Sequence, residues 1–171
     1  IKKVNKKFLN NNIKYLCTSG GVVSKQMIVV LKKIFPKAKI YLMYGLTEAF
    51  RSSFLDPKKA LNKYYSIGKA IPKVKLNILK EDYSECKQGE VGELVHRGGC
   101  ISSRYWRDKV SSKERFKKIS RFPSETTVFS GDLVKKDKEG DIIFISRKDS
   151  MIKTMGFRVS PTEIENQFIK N

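Results

Sequence analysis

The period of the apolar positions changes along the chain, and each change predicts a different element. "IKYLCTSGG" reads as a strand running into a glycine pair, Gly20 and Gly21. Behind it Met27, Val30, Leu31 and Ile34 recur at helical spacing, with Ser24 placed to cap the start and Pro36 to mark the end. "AKIYLMYG" then reads as a buried strand ending on Gly45. Strand, glycine turn, helix and strand together predict an α/β unit.

The middle of the chain alternates instead. "IPKVKLNILK" puts Val74, Leu76 and Ile78 on one face at period two, and "GEVGELVHRGG" is a second strand flanked by glycines. Short strands with glycine turns predict a small antiparallel sheet or barrel. "DKVSSKERFKKI" reads as a short surface helix after Trp106, and "TTVFSGDLVKKDKEGDIIFIS" as a strand pair turning at "KDKEGD". After "SRKD" the pattern changes again. "MIKTMGFRV" reads as a tight hairpin, and Ser160, Pro161 and Glu163 form a helix opening with N-cap, N1 proline and capping box. That helix is expected to run past Ile169, and the natural domain boundary lies at residues 147–149.

Composition narrows the classes. The 171 residues are 40% hydrophobic, and no apolar run approaches the roughly 18 residues of a membrane span. The sequence opens on Ile without the apolar stretch of a signal peptide, so an upstream part is expected. The net charge of +19 comes mostly from lysines spread along the whole length. That spread fits a solvated surface better than a nucleic-acid stripe, and neither an RNA-binding aromatic string nor a zinc-finger spacing accompanies it. Cys17, Cys86 and Cys100 form no C-x-x-C, which fits reduced thiols and a cytoplasmic location. His96, the single histidine, reads as a strand residue facing solvent or a neighbour, not as a zinc ligand.

Four stretches carry candidate chemistry: "TSGG" (18–21), "YGLTEA" (44–49), "SGDL" (130–133) and "SRKDSMIKTMGFRVSPTEIE" (146–165). Taken singly, a glycine pair is a turn, a Thr-Glu at a strand end is a helix cap, and an Asp after Gly is a turn residue. Their order and spacing, from residue 15 to residue 169, resemble the adenylate-forming (ANL) superfamily. That superfamily holds AMP-forming acyl-CoA synthetases, luciferases and peptide-synthetase adenylation domains. "GEVGELVHRGGCISSRYWRDKVSSKERF" is similar to the family's GE-x-GEL, RG, GYW and T-x-x-x-F segment, and "SIGKAIP" to its S-x-G stretch. Within the superfamily "EAFRSSFLDP", "GKAIP" and "GELVHRG" look closest to the acyl-CoA ligases associated with exosortase systems.

The resemblance implies a fold and a reaction. The fold would be the end of a large α/β N-terminal domain (residues 1–146), a hinge (147–149), and the truncated start of a C-terminal lid domain (150–171). The reaction would join a small carboxylic acid to the α-phosphate of ATP and pass the acyl group to coenzyme A, with Mg²⁺ neutralising phosphate charge. By the same resemblance Glu48 binds the metal and Thr47 donates to the α-phosphate. Tyr44 lays its ring against adenine, Gly45 permits close backbone approach, and Gly20 and Gly21 form a wall beside the base. Asp132 accepts from the ribose hydroxyls and Arg147 forks onto the nucleotide. Asp149 is the hinge residue, and Lys153 and Gly156 lie on the hairpin that swings in for thioester formation; Lys153 reads equally as a solvated charge.

Two parts of the family pattern are absent from the sequence: the Ser/Thr/Gly-rich phosphate loop and the distal lysine that meets the α-phosphate. The chain therefore reads as a piece, expected to be weakly active and prone to aggregate through uncovered edges. The other readings are an adenylation domain serving a carrier-protein thiol, a non-catalytic relic, and a basic nucleic-acid-binding module. Ala49, Phe50 and Arg51 border the expected acyl pocket. Arg51 reads as solvent-facing or as a contact to a polar acyl group.

Overall fold

The computed structural model describes residues 12–21, 23–150, 152–154, 157–159 and 161. Strand β1 (Tyr15–Thr18) pairs in parallel with β2 (Lys39–Leu46), and helix α1 (Lys25–Ile34) makes the crossover between them. The Ser24 hydroxyl accepts from the Met27 amide at 3.2 Å, so the predicted cap forms. The helix face that meets the sheet is centred differently from the apolar spacing. Ile28 is fully buried against Ile40, Leu42, Leu55 and Ala60, while Met27 stays 38% exposed.

Beyond β2 the chain turns back at once into β3 (Ala49–Leu55), which the sequence pattern did not predict. Leu42 faces Leu55 and Leu46 faces Ala49, so Thr47 and Glu48 are the two residues of a hairpin turn rather than a helix cap. The register shifts between Tyr44 and Leu46, a bulge centred on Gly45. A Cβ on Gly45 would lie 2.2 Å from the Arg51 nitrogen. The close approach that requires a glycine here is to the backbone of β3.

A short 3-10 helix (Pro57–Lys59), capped by the Asp56 carboxylate, leads to β4 (Ser66–Ala70). β5 (Val74–Leu79) and β6 (Val91–Gly98), the two predicted strands, pair antiparallel, with Val74 opposite Gly98 and Ile78 opposite Leu94. After α2 (Lys109–Arg115) and the two-residue β7 (Phe116–Lys117) come β8 (Thr127–Lys136) and β9 (Ile142–Arg147). The turn between β8 and β9 is built on Asp137, whose Oδ1 accepts from the Glu139 and Asp141 amides at 2.9 Å each. Lys59 and Lys63 reach this turn: Lys59 Nζ lies 2.6 Å from Asp141 and Lys63 Nζ 2.6 Å from Asp137.

The strands run in the order β1-β2-β3-β4-β9-β8-β6-β5, with β7 beside β8. The α/β unit and the antiparallel region are therefore one nine-stranded sheet, and β4 joins its halves. The seam is short: Ser53 and Phe54 pair with Ala70 and Lys69 on one side, Ser66 and Gly68 with Ile143 and Ile142 on the other. Gly68 has φ +73°, and a Cβ there would fall 1.9 Å from the Phe54 carbonyl oxygen, so only glycine fits. A core of Ile78, Leu94, Val134 and Ile142 lies under the antiparallel half, with Ile67 of the seam strand and Tyr44 from beyond it packed against it.

The predicted hairpin is present as β10 (Ile152–Thr154) and β11 (Phe157–Val159), with Ile152 opposite Val159. Gly156 and the helix opening at Ser160 and Glu163 lie outside the described residues. Among the described residues no helix is long and apolar enough to cross a membrane.

Candidate nucleotide site

Asp132 sits in β8 just after Gly131, which adopts φ +74°. Its carboxylate is nearly buried, yet both oxygens are satisfied. Oδ2 accepts from the Tyr44 hydroxyl, 88 positions away in sequence, and Oδ1 accepts from Arg147 Nη1 at 3.0 Å. Arg147 also donates to the Ser130 carbonyl at 3.1 Å and forks onto Asp149 through Nε (3.1 Å) and Nη2 (2.9 Å). Tyr44, Asp132, Arg147 and Asp149 thus form one bonded chain across β2, β8, β9 and the segment that follows.

The electrostatics follow from burial. Desolvation pushes the Asp132 carboxyl up from its ordinary range, opposed by the Tyr44 hydroxyl, Arg147 and Arg115. Burial, and then Asp132, raise the Tyr44 phenol far above its usual value, so Tyr44 donates and never ionises here. The Arg147 fork holds Asp149 below the usual carboxylate range, and Arg147 itself is raised, by Asp149 first.

His96, in β6, stacks on the Tyr44 ring with centroids 6.0 Å apart and planes 15° from parallel. It is fully buried, and neither ring nitrogen has a hydrogen-bond partner. Burial lowers its pKa to about 4, so the imidazole is neutral. Of the two sequence readings, facing solvent or facing a neighbour, the second holds.

The second part of the site is the β2–β3 turn. Thr47 is exposed and Glu48 half-buried. Glu48 Oε1 accepts from the Tyr105 hydroxyl, and its backbone carbonyl accepts from the Ser102 amide at 2.8 Å. The 100–105 loop thereby docks on the turn, aided by a bridge between Ala49 and Ile101. A hollow of about 300 Å³ adjoins it, lined by Tyr105, Asp108, Ser111, Glu114 and Arg115. A larger one, about 400 Å³, lies at the far edge around Tyr15, Lys37 and Lys39. Neither hollow is lined by Tyr44 or Asp132.

The remaining sequence candidates are more scattered. Gly20 (φ +90°) and Gly21 follow β1, where a Cβ would meet nothing within 4 Å. Lys153 lies in β10. Among the described residues no cluster of His, Cys, Asp or Glu forms a metal cage, so Glu48 offers a metal one carboxylate and not a full ligand set.

The AMP-binding enzyme family matches residues 2–106, well over half the chain. The chain belongs to the AMP-binding enzyme family. Two curated members show its spread. A D-alanine–D-alanyl carrier protein ligase of Bacillus licheniformis is 34% identical over 80% of this chain and 27% of its own. A long-chain-fatty-acid–CoA ligase of Haemophilus influenzae is 28% identical over 91% of this chain and 26% of its own. The chain thus spans about a quarter of the length of these relatives. The same fold occurs in o-succinylbenzoate CoA synthetase of Bacillus subtilis, solved with its acyl-adenylate intermediate. It superposes with a TM-score of 0.78 at 21% identity, covering 93% of this chain and 31% of that one. The fold is therefore that of the adenylate-forming enzymes, mixed α/β around one large sheet.

For this family member three contributors escaped the sequence reading. Tyr105 holds Glu48, His96 backs Tyr44, and Arg115 approaches the Asp132 turn. Only "YW" in the quoted segment pointed toward the first; nothing local marked the other two.

Proposed function

We propose that this chain forms the nucleoside side of an adenylate-forming acid–thiol ligase site. The observation that carries the reading is the bonded series from Tyr44 through Asp132 to Arg147: a phenol from the distant β2 and a guanidinium from the neighbouring β9 meet at one nearly buried carboxylate. Asp132 fits a ribose. Each of its oxygens accepts one protein bond and keeps a second lone pair for one of two neighbouring hydroxyls. Tyr44 is the aromatic body beside it and Arg147 the cation, while Gly20 and Gly21 border the base.

Glu48 would hold Mg²⁺, a hard cation that takes one or two carboxylates together with substrate phosphates. Bound there, the ion would supply charge neutralisation on the phosphates. Thr47, exposed beside Glu48, is the hydroxyl donor to the α-phosphate. A substrate carboxylate oxygen attacks the α-phosphorus of ATP, the bond to pyrophosphate breaks, and the mixed anhydride forms. A thiolate then attacks the acyl carbon, giving a thioester and releasing AMP. Coenzyme A is the proposed thiol. A carrier-protein thiol is the second reading, favoured by the likeness to a carrier-protein ligase. Residues 1–146 would belong to the N-terminal domain, 147–149 to a hinge latched by the fork between Arg147 and Asp149, and 150–171 to the lid, with Lys153 and Gly156 on its hairpin.

The test is calorimetric titration of AMP into the chain and into Asp132→Asn. The wild type is expected to bind, and loss of the charged acceptor to weaken binding about tenfold or more. Equal affinities, or no binding by the wild type, would overturn the reading.

A further inference from the structure

Arg115, the last residue of α2, directs its guanidinium at the turn that carries Asp132. Its Nη1 donates to the Phe129 carbonyl at 3.3 Å. Arg147 Nη1 donates to the next carbonyl, Ser130, at 3.1 Å. Successive carbonyls of β8 are thus each held by an arginine. The two guanidiniums also meet over one α-carbon: a Cβ on Gly131 would lie 2.5 Å from Arg115 Nη1 and 3.3 Å from Arg147 Nη2. The Gly131 amide donates to Glu93 Oε1 and the Asp132 amide to Ser130 Oγ, both at 3.0 Å. Among the described residues Arg115 forms no ion pair with a carboxylate, and its guanidinium is held by the Phe129 carbonyl. It acts on Asp132 and Asp149 from a distance.

We propose that Arg115 is a positioning residue for Asp132, clamping with Arg147 the glycine turn from which the carboxylate is presented to the ribose hydroxyls. A clamp made of backbone acceptors and one glycine fixes direction in a way a single ion pair does not. One guanidinium sets the strand before the turn and the other sets the carboxylate after it. The ribose contact rests on the nucleotide reading above; the clamp itself does not.

The charge of Arg115 gives the proposal a signature that packing alone lacks. The groups facing Asp132 are Tyr44 from β2, Arg147 from β9 with Asp149 beyond it, and Arg115 from α2. From β6 come Glu93, which is paired with Lys148 at 3.2 Å, and the neutral His96 behind Tyr44. Removing the Arg115 charge removes a stabiliser of the ionised carboxylate, so Asp132 must protonate at higher pH.

The experiment follows the ¹³Cγ titration of Asp132 in the ligand-free whole chain, assigned by its loss in Asp132→Asn. Wild type, Arg115→Met and Arg115→Lys are compared. The Met variant is expected to titrate about 1 pH unit higher, at the low end of what an opposite charge produces. The Lys variant, which keeps the charge, is expected to stay near wild type. The acid limb of AMP affinity should move with the carboxyl. Coincident midpoints for wild type and the Met variant would overturn the proposal. So would a Lys variant shifted like an uncharged one, which keeps the test decisive should the Met variant fail to fold. If the midpoints move as expected while the wild type binds no AMP, the nucleotide reading falls and the clamp stands. If AMP binds and the midpoints coincide, the clamp alone falls.

Discussion

The two ends of the candidate site are built on different principles. The nucleoside end is made inside a sheet: Tyr44, Asp132 and Arg147 project from three strands, and their polar atoms satisfy one another around one nearly buried carboxylate. The end that carries Thr47 and Glu48 is a two-residue turn, held by the hydroxyl of Tyr105 and the Ser102 amide from a loop. Preorganised donors and acceptors lose little when a ligand arrives, whereas a turn held from solvent-exposed loops adapts. The difference would suit the proposed reaction, in which the nucleoside stays fixed while phosphate and acyl groups rearrange.

The buried end should reveal itself in acid. His96 has an ordinary pKa near 6.5 that burial lowers to about 4, so the unfolded chain binds the extra proton first. Its contribution is present in full above about pH 6.5 and is lost as pH falls toward 4. A shift of about 2.5 units corresponds to about 3 kcal/mol. Asp132, with a raised folded pKa, has the opposite slope, since its contribution is lost as pH rises. Urea unfolding from pH 7 to pH 4 should therefore show a steeper loss for wild type than for His96→Leu, and parallel curves would remove His96 from the account.

The turn can be broken more locally. Gly45→Ala forces a methyl within 2.2 Å of the Arg51 nitrogen, and the bulge must open. A cost of about 2 kcal/mol is expected from urea midpoints, in the range for overpacking. If the two ends are independent, the Asp132 titration should not move; a moved midpoint would show that they are one unit. The smallest effect belongs to Tyr105→Phe. It removes a bond at the half-exposed Glu48 and should change stability by less than about 1 kcal/mol. A larger loss would place the turn among the preorganised parts.

How legible each part was depended on whether local chemistry or distant packing decided it. α1 declared itself through Ser24 and its apolar spacing, β5 through alternation and β6 through its flanking glycines, though not their pairing. β3 did not, because two of its fully buried residues are Ser52 and Ser53, polar in sequence. Ser53 is satisfied by donating to the Ile67 carbonyl at 2.8 Å, a partner that exists only once β4 is in place. Tyr44, Asp132 and Arg147 were singled out because their motifs resemble a known set, and the structure brings their side chains into one bonded series. Arg115 was hidden in "KERF", where a basic residue among basic residues carries no signal, and only the strand order brings it to Gly131. The join of β4 to β9 was equally invisible, since no periodicity encodes a pairing of segments some 76 positions apart.

That join sets the mechanics of the whole molecule. Tyr44 approaches the site from one side of β4, and Asp132 and Arg147 from the other. The two sides are stitched by a strand of five residues whose glycine leaves no space for a side chain. Any slippage along this stitch pulls the phenol from the carboxylate, and a guest gripped from both sides resists it. On the proposed reading, a nucleotide would be a rivet as well as a reactant, and its binding would tighten the sheet between its two halves.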